Sequence, residues 1–226
     1  MAFHHSPRIA SGDIVLALDP ANLRSYPGSG TAWTDTVGGK TATLTNGPTF
    51  STIGGGSIAF DGANDYAALT TTGLLVNSFC LSMWIYPHDV SGGFQMLWGA
   101  DGYAGGTGLG HYIHNNTVRP YIAVGGSAAE LFNSSANLTN NTWFNVVLQR
   151  NKSVKWELYI DGVLDSTNSS TALTDSFSAT NTRIGQHAGG SNLPFDGNIS
   201  HIILYDRVLS AEEVLHNYNT MKGRFE

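Results

Sequence analysis

The sequence predicts an all-β chain, a two-sheet antiparallel sandwich with one short C-terminal α-helix, on three observations. Short apolar runs recur at roughly 8–12-residue spacing with Gly, Asn, Asp or Pro between them, a sandwich pattern. The run Phe79–Pro87 alternates cleanly. Phe79, Leu81, Met83 and Ile85 form one face, Cys80, Ser82, Trp84 and Tyr86 the other, and Pro87 ends it. The stretch Asn198–Tyr205 carries bulk on both faces, which marks a central strand covered on both sides.

In chain order, Met1–Gly12 reads as an extended arm, too polar to pack alone and interrupted by Pro7. Ile14–Leu18 is a first strand, and Asp19–Gly30 is a loop rich in Pro, Asn and Gly. Ala42–Thr45 and Ser57–Phe60 follow, with Gly54, Gly55 and Gly56 between them. After Phe79–Pro87, further strands are expected at Phe94–Trp98, Leu109–His114, Val118–Val124, Trp143–Arg150, Val154–Asp161 and Thr182–Gln186. Asn151-Lys152-Ser153 is a tight hairpin. In the final strand Ile199, His201, Ile203 and Tyr205 are expected on one face, with Ile202 and Leu204 on the other.

The period then changes. Ser210 and Glu213 form a capping box, and Leu209 with Val214 a hydrophobic staple. Val214, Leu215, Tyr218 and Met221 share one helical stripe, and Gly223 is placed to end it. With 226 residues and no repeat period, the chain fits one domain over 13–226 behind the arm of residues 1–12.

Three segments carry a family resemblance. Phe60-Asp61-Gly62-Ala63-Asn64-Asp65-Tyr66, the pair Trp143–Arg150 and Leu158–Gly162, and the closing run Phe195–Gly223 resemble the concanavalin A-like, laminin G-like jelly-roll domains. The resemblance covers roughly residues 13 to 222 and implies a jelly roll. It leaves function open, because such domains serve adhesion, lectin, enzyme-appended and virion roles alike. The opening Leu16–Asp35 is similar to a version found on structural proteins of tailed bacteriophages. That likeness implies a non-enzymatic virion protein, a capsid decoration or fibre subunit. It would assemble in the host cytoplasm as a homo-oligomer and sit on the outer surface of the particle. The arm Met1–Gly12 would hold it to other capsid or tail proteins. The alternative is a glycan-binding adhesin that meets host polysaccharide.

Composition excludes several classes. Charged residues are 12% of the chain, against about 25% in an ordinary soluble domain. A net charge of −6 without a Lys/Arg cluster argues against nucleic acid. No apolar run approaches the roughly 20 residues a membrane span needs, and Met1–Asp13 lacks a signal-peptide core. Cys80, without a second cysteine, reads as a small buried hydrophobe. Glu157 and Asp161 are a same-face acidic pair on a strand. Four residues of strand span about 13 Å, beyond the roughly 5–9.5 Å of glycosidase carboxylates. No H-E-x-x-H, Cys–His set or G-x-S-x-G occurs, so no catalytic residue is expected.

Two candidate sites remain. The family often holds calcium at the sandwich rim through Asp and Asn oxygens. Asp61, Asn64 and Asp65 place three such donors in one turn; Asx turns are the alternative use of Asp61 and Asn64. The Gly-rich stretch Trp98–His111 has the makings of a sugar site, with Trp98, Asp101, Tyr103 and His111 as candidates. The alternative there is that the aromatics are core.

Overall fold

The computed structural model describes residues 8–75, 77–100, 108–124, 127–169, 180–188 and 193–226. The described strands, in chain order, begin with β1 (Ile14–Leu18), β2 (Ala32–Thr34), β3 (Thr41–Thr45), β4 (Thr49–Ser51) and β5 (Ser57–Asp61). They continue with β6 (Tyr66–Thr70), β7 (Phe79–Pro87), β8 (Gln95–Ala100), β9 (Gly108–His114), β10 (Thr117–Val124) and β11 (Ser127–Glu130). β12 (Phe144–Asn151), β13 (Lys155–Ile160), β14 (Val163–Asn168), β15 (Asn181–Ile184), β16 (Asp196–Tyr205) and the helix α1 (Ala211–Met221) complete the order.

The strands form two antiparallel sheets. The first runs β14-β13-β12-β7-β16-β5-β4, with β1 also on β16; the second runs β11-β10-β9-β8-β15-β6-β3-β2. The all-β sandwich with one short C-terminal helix is therefore as the sequence predicts. β16 pairs with β7 along one edge. Its other edge is shared, by β5 over Asp196–Ile199 and by β1 over Ile202–Tyr205. The strand with bulk on both faces is thus central, as its composition requires.

One detail of β16 differs from simple alternation. The pairing with β7 shifts register between Ile199 and Ile202. This bulge inserts an extra residue and reverses the facing. Ile199 therefore joins Ile202 and Leu204 in the inter-sheet core, while Ile203 and Tyr205 face outward. Strands β2, β4, β6, β11 and β14 were not expected either. β2 and β4 are three residues long, β6 is built on small residues (Tyr-Ala-Ala-Leu-Thr), and β14 is a polar edge. Each depends on its neighbours more than on its own periodicity.

The core between the sheets includes Leu16, Trp33, Phe60, Leu81, Leu148 and Leu204. A second, smaller cluster lies on the outer face of the first sheet. Cys80, Val147, Tyr159, Ile203 and Tyr205 are covered there by Leu209 and by Val214 of α1. The capping box forms: Glu213 N donates to Ser210 Oγ at 3.2 Å, and Ser210 N donates to Glu213 Oε2 at 2.9 Å. Gly223 does not end the helix. It lies within a 3-10 turn, Lys222–Arg224, that carries the chain on to Phe225. Trp84 stacks on both Tyr218 and Phe225, with ring centroids 5.6 and 4.1 Å away.

The N-terminal segment crosses the same face. Ala10 N donates to Asn217 Oδ1 at 2.7 Å, Tyr205 Oη donates to Ala10 O at 2.9 Å, and His216 Nε2 lies 2.7 Å from Arg8 O. Arg8–Gly12, the inner part of the expected arm, thus leads directly into the domain. Met1–Pro7 lie outside the described residues.

Candidate functional site

The outer face of the second sheet is built differently. Strict alternation in β3 sends Ala42 and Leu44 into the core and leaves Thr41 and Thr43 exposed. β6 likewise buries Ala67 and Leu69 and turns Tyr66, Ala68 and Thr70 outward. β15 buries Thr182 and Ile184 and presents Asn181 and Arg183. Inside, Thr182 is satisfied by a 2.8 Å hydroxyl contact with Thr71.

The register aligns these residues in rows. Arg183, Ala68 and Thr43 stand side by side across three strands, and Asn181 stands beside Thr70. Ala68, being small, is the floor between two larger neighbours. The result is a surface cleft of about 430 Å³ whose walls include Thr41, Thr43, Tyr66, Thr70, Asn181 and Arg183. Hydroxyls and an amide line it, with one aromatic ring at the end. Among the described residues no carboxylate lines it.

Arg183 is held in place. Its guanidinium lies over the Tyr66 ring, 4.1 Å from the centroid. Its Nη1 donates to Gln186 Oε1 at 2.5 Å and approaches His187 O at 3.4 Å. Gly185 has φ +82, and that left-handed residue turns the chain so that Gln186 comes back to Arg183. A Cβ on Gly185 would lie 2.6 Å from the Phe60 ring. Burial, then the nearby Arg183 charge, lowers the pKa of His187, which favours its neutral form.

Two of the sequence-predicted sugar residues, Trp98 and His111, are placed elsewhere. Trp98 is opposite His111 across β8 and β9. Trp98 is fully buried in the inter-sheet core, and His111 is also buried, on the inward side of β9 between Leu109 and Ile113. A sugar platform must be open to solvent, and neither ring is. Burial pulls His111 down to about 3, so it is neutral at physiological pH. Among the described residues Trp98 Nε1 and both His111 ring nitrogens have no hydrogen-bond partner. Asp101 and Tyr103 lie outside the described residues.

The turn Asp61–Asp65 is used mainly by its own backbone. Asp61 Oδ1 accepts from Ala63 N at 2.8 Å and Asn64 N at 3.3 Å, and these bonds hold its carboxyl below the usual range. The Asn64 carbonyl accepts from Asn46 Nδ2 at 2.9 Å and Gln186 Nε2 at 3.4 Å. Asp65 is buried; its Oδ2 accepts from Asp61 N at 3.2 Å while Oδ1 has no partner. Burial, then the Asp61 charge, raises the Asp65 carboxyl. Calcium needs six or more oxygens. In this turn Asp61 Oδ1 and the Asn64 carbonyl already accept hydrogen bonds. Among the described residues no group of three or more Asp, Glu, His or Cys converges as a metal set.

Sequence reasoning missed the cleft residues. Their signal was the Thr-Ala-Thr-Leu-Thr alternation of β3 and the Asn-Thr-Arg-Ile of β15, each a polar row on one face.

A sandwich of this topology with an open, hydroxyl-lined outer face defines a lectin-like jelly roll, and the comparisons agree. The model of the concanavalin A-like lectin/glucanases superfamily matches residues 61–215, and the chain belongs to that superfamily. Among solved structures, the chain is similar to the botulinum neurotoxin serotype D binding domain, at 18% identity and a TM-score of 0.71, covering 92% of this chain and 51% of that one. It is similar to Trypanosoma rangeli sialidase at 18% identity and TM-score 0.71, covering 96% of this chain and 34% of the other. Domain 4 of an extracellular arabinanase from Geobacillus stearothermophilus, solved with arabinotriose, gives 14% identity and TM-score 0.73. That match covers 91% of this chain and 98% of the domain. At these identities the likeness is one of fold. The chain spans about half of the toxin chain and a third of the sialidase. The sequence matches no curated protein.

Proposed function

We propose that the protein is a non-enzymatic glycan-binding module whose sugar lies in the cleft over β3, β6 and β15. The observation that carries this reading is the cleft itself, about 430 Å³ of open surface lined by hydroxyl, amide, guanidinium and one aromatic ring. Small-ligand sites occupy roughly 300–1,000 Å³, and sugars are held by polar groups around a ring face. Arabinotriose bound to a domain of the same fold supports it as well. Binding rather than catalysis is favoured because both carboxylates of the strand pair Glu157 and Asp161 are occupied. Glu157 takes Gln149 Nε2 at 2.8 Å and Lys155 Nζ at 2.6 Å, and Asp161 takes Asn145 N at 2.8 Å. A glycan array followed by calorimetry tests this. At least one glycan class should bind, and Thr43→Trp, which fills the cleft from an exposed strand position, should abolish binding. Unchanged binding by that variant rejects the site.

A second reading on the same chain is a virion structural subunit, a decoration or fibre protein of a bacteriophage, anchored through its N-terminus. Its support is the resemblance of Leu16–Asp35 and the way Arg8–Gly12 is held by Asn217, His216 and Tyr205, which would anchor any partner bound to Met1–Pro7. Deleting Met1–Pro7 leaves those contacts intact. Incorporation into particles should fail while glycan binding persists; normal incorporation would sink the anchoring role.

A further inference from the structure

Resting on the glycan reading of this cleft, we propose that its ligand is an acidic sugar, with a carboxylate held side-on by Nε and Nη2 of Arg183.

A guanidinium carries five N–H donors, which form a rigid fork. Gln186 Oε1 and the His187 carbonyl occupy the Nη1 side. Among the described residues neither Nε nor Nη2 of Arg183 has an acceptor. These two nitrogens form the planar edge that matches the two oxygens of a carboxylate in a bidentate pair. The rest of the cation is already immobilised on Tyr66 and Gln186. Little side-chain entropy therefore remains to be lost on binding.

Electrostatics point the same way. Four other cations are neutralised by acids: Arg119 by Glu130, Lys155 by Glu157, Arg207 by Glu213 and Arg224 by Asp19. Among the described residues Arg183 is paired with no carboxylate, and it is the one charged residue lining the cleft. In a chain of net charge −6, a half-buried, unpaired guanidinium on an otherwise neutral wall selects for an anion. Asn181 lies two residues away on β15, Thr70 on the adjacent β6 and Thr43 one strand further on β3, where the hydroxyls of the same sugar would meet them. A neutral sugar would leave the fork facing water, and a planar carboxylate fills it.

Calorimetry with matched pairs tests the proposal. The probes are trigalacturonic acid and 3′-sialyllactose, each against its methyl ester, with a heparin oligosaccharide as a sulfated control. At least one free acid should bind tenfold or more tightly than its ester, and weaken as salt is raised. Arg183→Ala should remove the preference, and Arg183→Lys should restore little of it, since an ammonium cannot form the planar fork. Arg183→Gln, close in size and neutral, serves if the alanine variant is less stable. Equal affinity for acid and ester, or for the sulfated control, overturns the carboxylate assignment. Thr43→Trp separates the two failures. Neutral binding that this variant abolishes leaves the glycan site standing without the acidic specificity, and no binding by any glycan removes both.

Discussion

The two outer faces of the sandwich come from the same alternation and have opposite fates. On the first sheet the outward positions include Cys80, Val147, Tyr159, Ile203 and Tyr205, with Gln149 bonded to Leu209 among them, and α1 and the N-terminal segment lie over them. On the second sheet the outward positions of β3, β6 and β15 include Thr41, Thr43, Thr70 and Asn181, and that part stays open as a cleft. An apolar outer row recruits a cover because burial releases about 25 cal/mol per Å². A threonine row gains nothing from a cover and remains free for polar ligands. Outward chemistry, rather than strand topology, decides which face is structural and which is available.

The largest effect is expected at Tyr205. It is fully buried, and its hydroxyl donates to Ala10 O and accepts from Asn217 Nδ2. Tyr205→Ala should cost about 3–5 kcal/mol in urea unfolding, as for other buried aromatics. A cost under about 1 kcal/mol would mean that the cover contributes little. Next comes the start of α1. Ser210→Ala should cost about 1 kcal/mol.

Acid probes the same corner. Arg207 bonds both Glu213 oxygens, at 2.8 and 2.7 Å, and pulls that carboxyl down to about 2. Because the folded value lies below the ordinary 4.5, the stabilisation is complete above pH 4.5 and is lost as pH falls through about 2. Glu213 is partly exposed, so screening keeps the effect modest. Glu213→Gln should flatten this part of the pH–stability curve; an unaltered curve would show that the pair contributes nothing. The smallest effect belongs to the open face. Thr43→Ala should change stability by no more than about 0.5 kcal/mol, since that residue is exposed. A larger loss would show that the threonine row is structural after all.

How much was legible depended on distance along the chain. The strand Phe79–Pro87 has the bounds that its alternation predicts, and the Ser210–Glu213 box forms as its four-residue pattern requires. Cys80 is buried among apolar neighbours, as a free cysteine between Phe79 and Leu81 suggests. Two of the four sugar candidates, Trp98 and His111, are of a suitable residue type but are closed to solvent, because their strands turn them inward. Thr43, Tyr66 and Arg183 were invisible as a group because they come from three strands far apart in sequence.

By itself, the sequence determined the fold class, the central strand and the capped helix, since each rests on periodicity or contacts within a few residues. Alternation divides a strand into two faces but does not say which face points inward. The tertiary structure decided that. It placed the bulge that turns Ile199 inward, stood Arg183 beside Ala68 and Thr43, and left that row uncovered. Register and cover are set by partners on other strands, well beyond the span of any one element, and no local pattern carries that information.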